Sequence, residues 1–473
     1  MERQKVILMY PNSKWTIWME RTAWSLHPYN IGLLKAMIEP ESDVSFIDAN
    51  IEDMTQEQFA KKIEEEKPDV LGISVLTNEY AEAGNIASRI AKQVNPNIKT
   101  VMGGVHAISS PEDAMQEKSL DFVVNGEGEY VFRDLCKSLA GKGDLPQKGI
   151  LFRKNDEVIN LGRADFITDL DALPYPSYKG IDFMKYATRS QRETTERPLA
   201  MPFAHILTSR GCPYRCCFCE AGLISGKKPR LRGVGHIQGE LEQLIQNYEI
   251  NAFIIDDDNW LIDKPRAKSL LKLFKNYNLS WNPITVALYQ LDDEMVPLLK
   301  ESGMHVAQIS FESGVKRVLR DIVHKPLDLE KGKKMVDRLK SYDISTVANF
   351  IVGFPGETWD EIRETLKFAE DINVDYVKIN IATPLPNTDL YEKARAAGYL
   401  SKGFHFNQHL WSRGWIETSE FKPQDLKVLR AYEWDRINFS TPEKRKKIAY
   451  MMGVSEERLT QIRKNTLETA HKI

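Results

Sequence analysis

An α/β chain with two domains in series and a helical tail is predicted by three features of the sequence. Short apolar runs alternate with amphipathic stretches over residues 1–145 and again over 201–396. A Pro- and Gly-rich connector, 146–200, separates the two series. Beyond 397 the pattern becomes helical and charged. Alternation of this kind gives parallel strands joined by crossover helices, and 473 residues leave room for two or three such domains.

The first series has five apolar runs: KVILMY (5–10), VSFID (44–48), DVLGISVL (69–76), KTVMGG (99–104) and DFVVNG (121–126). Stretches such as QEQFAKKIEEE and EYAEAGNIASRIAKQV between them repeat their apolar residues at helical spacing. The expected product is a doubly wound, Rossmann-like sheet that binds its ligand at the carboxyl ends of its strands. No G-x-G-x-x-G follows the first run, which argues against a dinucleotide. In the connector, GILFRKNDEVINLG has the pattern of a small hairpin, and DLDALPYPSYKG should cross the surface as a linker.

The second series has six strand candidates: FAHILTS, AFIIDD, NPITVAL, VAQISFES, TVANFIVG and DYVKINIAT. Helical segments such as IQGELEQLIQNY and TWDEIRETLKFAEDI lie between them. Six βα units suggest a parallel barrel, complete or partial, with its chemistry at the carboxyl-end rim. In the tail, EKRKKIAYMMGVSEERLTQIRK has the outline of a helix-turn-helix, but a packing or capping role is the simpler expectation.

Composition narrows the function. The chain is 42% hydrophobic and 28% charged with a formal net charge of −3, which gives no reason to expect nucleic-acid binding through bulk charge. The beginning MERQKVILMYPNSK lacks a secretory pattern. No apolar run approaches the ~20 residues that span a bilayer. The expected location is the cytoplasm, where clustered cysteines act as metal ligands or redox thiols rather than as disulfides.

Four of the five cysteines fall between 212 and 219: Cys212-x3-Cys216-x2-Cys219, with Cys217 between. A structural zinc site needs a fourth ligand, and the only other cysteine is Cys136 in the first domain. Thiolates also hold [4Fe–4S] clusters, and three of them leave one iron open for chemistry. A structural metal knuckle remains the plain reading of the trio alone. The neighbouring signals also have plain readings: Asp256 to Asp258 as a helix cap, Gly353 and Gly356 as turn residues, and Glu312 as a rim charge.

In order along the chain, however, these motifs resemble the radical S-adenosylmethionine (SAM) superfamily. The Cys trio, with Phe218 before its last member and TSRGC leading in, resembles the family's cluster loop. FIIDDDNW (253–260) resembles its acidic strand end, which implies that Asp257, Asp258 and Asn259 lie near the methionine amine of SAM. ISFESG (309–314) resembles the strand whose Ser310 and Glu312 approach SAM, with Glu312 at the ribose. NFIVGFPGET (349–358) resembles the Gly-rich strand near adenine, which implicates Gly353. TPLPNTDLY (383–391) resembles the sixth-strand P-x-P-G-T pattern with Asn387 in place of Gly, a residue that tolerates left-handed backbone.

The first domain resembles the cobalamin-binding domain of one subclass of that superfamily. Ser74 and Leu76 match an S-x-L element that meets the corrinoid's nucleotide tail, and Gly103 and Gly104 match a pair that lets backbone approach it. VVNGEGEYVF and DLDALPYPSY recur in the same subclass. The D-x-H-x-x-G element that supplies a histidine to cobalt is absent. His27 lacks its spacing, and His106 is expected to be a histidine bonded to backbone. The cobalt's lower face is then left to water, an apolar wall or a residue near TNEY (77–80).

The resemblance implies an oxygen-sensitive enzyme with three cofactors: a [4Fe–4S] cluster on Cys212, Cys216 and Cys219, SAM and cobalamin. Cys217 is expected to point away from the cluster. The implied reaction is methylation of an unactivated carbon of a small molecule, with an electron donor such as flavodoxin or ferredoxin. Non-methylating relatives, the oxidative cyclases and ring-rearranging enzymes, share this architecture. A corrinoid-responsive DNA-binding regulator is the remaining alternative. Arg445, Lys446 and Lys447 favour it slightly, and Glu456 and Glu457 in the second helix of the tail count against it.

Overall fold

A computed structural model describes residues 3–16, 27–155, 157–188, 195, 198–406 and 413–471. The chain divides into two compact units. The first is formed mainly by Met1–Tyr186, and the second by most of the chain after Tyr186.

The first unit is built on a seven-stranded sheet of order β2-β1-β3-β4-β5-β6-β7. The strands are β1 (Gln4–Tyr10), β2 (Ser42–Asp48), β3 (Val70–Val75), β4 (Lys99–Gly104), β5 (Phe122–Val124), β6 (Ile150–Lys154) and β7 (Glu157–Asn160). The first five are parallel, and the order reverses direction beside β1, which makes the crevice there the expected ligand site. Each face of the sheet has its own core. One is packed by the helices Gln56–Glu66 and Ala81–Val94 through Phe59, Ile63 and Ile90. The other is packed by Tyr29–Ile38 and Gly128–Leu139 through Ile31, Phe132 and Leu135. Cys136 lies in the second core, where burial pushes its thiol up to about 12, so it behaves as a small apolar residue. The hairpin expected in the connector is β6–β7, but it is not free-standing. It pairs antiparallel onto β5 and completes the sheet.

The second unit carries six barrel strands in two parallel triples. These are β8 (Phe203–Ile206), β11 (Ala252–Ile255) and β12 (Ser280–Pro283), then β13 (Val306–Glu312), β14 (Ser345–Val352) and β15 (Tyr376–Ile381). Parallel bridges Trp281↔Met304 and Val286↔Ile309 join the triples. Among the described residues β8 and β15 do not pair, so the barrel is partial. Two short strands, β9 (Ser209–Arg210) and β10 (Arg230–Leu231), pair antiparallel above the end of β8. The third strand begins earlier than NPITVAL suggests, at Ser280, because the indole of Trp281 belongs to the outer core.

An open barrel exposes the ladder groups of its edge strands, which proteins normally cover. Here the tail covers β15. Asn438, on the helix Pro423–Asn438, accepts from Val377 N (2.7 Å) and donates to Val377 O (2.8 Å). Arg430 donates to Ile379 O at 2.7 Å. The two helices of the helix-turn-helix outline, Pro442–Met452 and Glu456–Ala470, meet at Gly453, whose φ is 68°. Arg463 binds Asp435 at 2.7 Å, tying the last helix to Pro423–Asn438. The tail's observed role is packing.

Candidate functional site

The cysteine loop leaves the carboxyl end of β8 and is closed at its base by the β9–β10 ladder and by Cys212 N donating to Gly226 O at 3.0 Å. Cys212 and Cys216 are half-buried, and Cys219 is exposed. Ala221 N donates to Cys219 Sγ at 3.4 Å. Burial pushes the Cys216 thiol up to about 11, because a desolvated thiolate is costly. The ammonium of Lys325 acts the other way on both Cys212 and Cys216. Cys217 is 3% exposed, feels the charges of Lys393, Cys216 and Asp389, and has its carbonyl bonded by Leu390 N. Among the described residues no three His, Cys, Asp or Glu side chains converge on one ion position. In a cube each thiolate takes a different iron, so its ligands need not converge.

The acidic strand end divides its labour. Asp257 is 1% exposed and accepts from Thr208 N (2.6 Å), Thr208 Oγ1 (2.5 Å) and Ser209 Oγ (2.6 Å). The carboxylate of Asp257 is engaged by the strand that leads into the cysteine loop. Burial still holds its carboxyl above the ordinary range despite the hydrogen bonds from Thr208 and Ser209. Asp258 accepts from Gly211 N at 3.1 Å, one residue before Cys212. Asn259 is 4% exposed, and its side-chain amide donates to Cys212.

Across the barrel, Glu312 sits on a β-bulge where the register with β14 slips after Ser310, at φ +68°. Bulges re-aim side chains and cluster near active sites. Glu312 pairs with Lys325 at 2.8 Å, and both side chains are 7% exposed. Lys325 follows a six-residue π-type turn, Val318–Val323, and no sequence motif pointed to it. Ser310 is half-buried, with Thr285 Oγ1 at 3.5 Å. Gly353 has φ +90°, and its N–H donates to Glu357 Oε2 at 2.7 Å. A Cβ there would sit 2.5 Å from Leu426 Cδ1 of the tail. Both its amide and the space beside its Cα are therefore engaged inside the protein. Asn387 adopts φ 57°, the left-handed conformation its place in the motif requires.

In the first unit, Ser74 lies on β3, 7% exposed, and accepts from Asn30 Nδ2 at 3.0 Å; Asn30 in turn is bonded by Tyr10 OH. Neither Tyr10 nor Asn30 carried a sequence signal. Leu76 is half-buried against the second core. Gly104 has φ +95°, and a Cβ there would lie 2.4 Å from Val75 O, whereas a Cβ on Gly103 would meet only Val124, at 3.9 Å. The pair thus keeps one tight turn and one open surface at the carboxyl end of β4. Thr77 Oγ1 after β3 and Asn125 Oδ1 after β5 are buried without a protein partner at this same edge. His106 is buried in the short helix Val105–Ser109, bonded to Asn78 Oδ1 at 3.0 Å rather than to backbone, and pushed down to about 4 by burial. His27 is 6% exposed, with the rings of Tyr178 and Phe183 at 5.1 and 4.9 Å.

These residues fit the groups their motifs imply. The first unit offers orphaned polar atoms and an open glycine surface at the edge where parallel sheets take ligands. The second offers three thiols, with the ammonium of Lys325 and the amide of Asn259 beside them.

A six-strand partial barrel with such a cysteine loop, preceded by a doubly wound ligand-binding sheet, defines a class of radical enzymes. Residues 17–136 match the B12 binding domain family and residues 206–369 match the Radical SAM superfamily. The uncharacterized methyltransferase PH0819 of Pyrococcus horikoshii is 33% identical over 407 residues, 85% of each chain. The cytidylyl-2-hydroxyethylphosphonate methyltransferase of Streptomyces wedmorensis is 26% identical over 444 residues, 84% of this chain and 83% of its own. The fold is that of the cobalamin-dependent SAM radical enzyme OxsB with aqua-cobalamin bound: TM-score 0.71, 17% identity, 99% of this chain and 72% of that one. The chain belongs to the radical SAM enzymes that carry an amino-terminal B12-binding domain. Its cofactors are the [4Fe–4S] cluster, SAM and cobalamin.

Proposed function

We propose that this enzyme methylates an unactivated carbon of a small molecule in the cytoplasm, taking single electrons from a donor such as flavodoxin or ferredoxin. The observation that carries the reading is the joint presence in one chain of the Asp257-braced cysteine loop and the prepared ligand edge around Ser74, Thr77 and Asn125. The names of the two relatives above, both methyltransferases, support it. When bound, the cofactors supply a 5′-deoxyadenosyl radical that removes one hydrogen atom from the substrate carbon and a methyl group that takes its place.

The protein's part is positioning. Cys212, Cys216 and Cys219 are the cluster ligands. Asp257 and Asp258 hold the loop, and Asn259 offers an amide beside Cys212. Glu312 and Lys325 present a paired carboxylate and ammonium suited to the polar ends of SAM, with Ser310 on the same strand. On the first unit Ser74, oriented by Asn30, together with Leu76, Gly103, Gly104, Thr77 and Asn125, holds the corrinoid tail.

The test is anaerobic reconstitution with iron, sulfide and cobalamin, then reaction with methyl-labelled SAM and a low-potential reductant. A product carrying the labelled methyl, with 5′-deoxyadenosine formed alongside, is the expected result. A cyclised, rearranged or oxidised product without label overturns methylation and leaves the chain among the non-methylating members. Protein that takes up corrinoid but shows no iron–sulfur absorption overturns the cluster assignment.

A further inference from the structure

The turn that follows β3 holds a buried carboxyl group that neither the fold nor the cofactor motifs employ. Asn78–Tyr80 form a single 3-10 turn, closed by Tyr80 N donating to Thr77 O at 3.1 Å. Successive residues of such a turn point about 120° apart. Asn78 is turned to His106, with its Oδ1 3.0 Å from the ring Nδ1. Tyr80 packs into the core beneath the helix Ala81–Val94. Glu79 takes the third direction, on neither of these sides. It is 6% exposed. Among the described residues no hydrogen bond and no neighbouring charge acts on its carboxyl, which burial alone pushes up to about 7.

A carboxyl group buried without a partner is costly, and its retention calls for a ligand that completes it. The surroundings say which ligand. The same strand end carries Ser74, the buried Oγ1 of Thr77 and, in register with Ser74 on β4, the open face of Gly103. This is the edge assigned above to cobalamin. A carboxyl group with no cation beside it repels the phosphodiester of the nucleotide tail. It suits a primary carboxamide, many of which stand around the rim of the corrin ring. A carboxamide presents a donor and an acceptor side by side, and a neutral carboxylic acid presents the complementary pair, so the two join through two parallel hydrogen bonds. A ribose hydroxyl puts both functions on one atom and would leave one carboxyl oxygen unmet.

Resting on the corrinoid edge in the reading above, we propose that Glu79 is a cofactor-binding residue whose carboxyl group pairs with a primary carboxamide of the corrin ring. Its contact is with the rim of the ring, so it acts apart from the groups that hold the nucleotide tail and makes no bond to the metal. In the cofactor-free chain Glu79 lowers stability, and in the loaded enzyme its hydrogen bonds are met. Residues kept for function commonly carry such a cost.

The experiment uses the full chain prepared without corrinoid. Hydroxocobalamin is titrated by its visible absorption, and so is cobinamide, which keeps the ring carboxamides but lacks the phosphate, ribose and base. In Glu79→Leu the affinity for both falls by the same factor, roughly tenfold for the loss of two neutral hydrogen bonds. Glu79→Gln, whose own amide makes the same paired bonds, stays near the parent. Without corrinoid both variants melt no lower than the parent, a result that a purely structural role for Glu79 would reverse. A drop confined to hydroxocobalamin puts the contact on the nucleotide tail and overturns the carboxamide assignment. A shift in the absorption maxima of bound cob(II)alamin in Glu79→Gln puts the carboxyl at the metal and overturns it as well. Equal affinity of the parent and Glu79→Leu, or a lower melting temperature of the cofactor-free variants, overturns Glu79 as a binding residue and leaves the corrinoid edge standing. A parent chain that takes up neither corrinoid overturns that edge, and this proposal with it.

Discussion

Replacing Asp257 by Asn separates two roles that one motif suggests. The carboxylate is hydrogen-bonded by the backbone and the side chain of both Thr208 and Ser209 in a site that is 1% exposed. Hydrogen bonds to a charged acceptor contribute about 1.5–3 kcal/mol each. Asn keeps one acceptor oxygen and turns an NH2 toward the donors on the other side, so part of the hydrogen bonding and the charge assistance are lost. Removing the charge also relieves its burial cost, which leaves a net loss of about 2 kcal/mol, roughly a thirty-fold shift against the ordered loop. The expected result is slower and incomplete cluster assembly at limiting iron, measured as iron per chain and as absorption of the anaerobic protein. SAM affinity of the fraction that does assemble should match the parent. Normal iron uptake combined with a large loss of SAM affinity would refute the brace and return Asp257 to the ligand.

Three further outcomes are expected. Cys216→Ala should lose the cluster and reductive SAM cleavage, whereas Cys217→Ala, altered on the side facing Lys393 and Asp389, should keep its iron; metal analysis of both variants checks this. Lys325→Met leaves Glu312 buried without its partner and should destabilise the second unit by about 3–5 kcal/mol, and adding Glu312→Gln should recover much of that; denaturant unfolding of the double-mutant cycle is the measurement. His106 is neutral in the fold, pushed down to about 4, while the unfolded chain takes a proton below its ordinary value of 6.5. Its contribution is therefore complete above pH 6.5 and is lost as pH falls toward 4, by up to ~3 kcal/mol for 2.5 units. Melting curves of the first unit should steepen in their pH dependence over that window, and His106→Gln should flatten it.

The parts of the site that could be read from sequence are those whose residues lie close together along the chain. The cysteine spacing, the S-x-L element and Asn387 at its turn depend on local geometry, and for Asn387 the left-handed φ of 57° is the expected one. The parts that could not be read are those whose meaning depends on a distant partner. Asp257 looks like its neighbours in DDDN until Thr208 and Ser209 are brought against it. Lys325 is one lysine among many until the turn at Val318–Val323 carries it to Glu312 and the thiols. That Leu426, far along the chain, packs beside Gly353 is likewise visible only in the fold.

By itself the sequence determined the class of chemistry and the succession of two parallel βα systems. Both are written in short-range terms: thiol spacing, and the period of apolar residues along strands and helices. Only the tertiary structure decided that the barrel stays open, that the tail covers the edge of β15 and that the connector hairpin joins the first sheet. Each of these depends on which backbone groups and side chains remain unpaired after the strands assemble, and that is a property of contacts between distant segments rather than of any single stretch of chain.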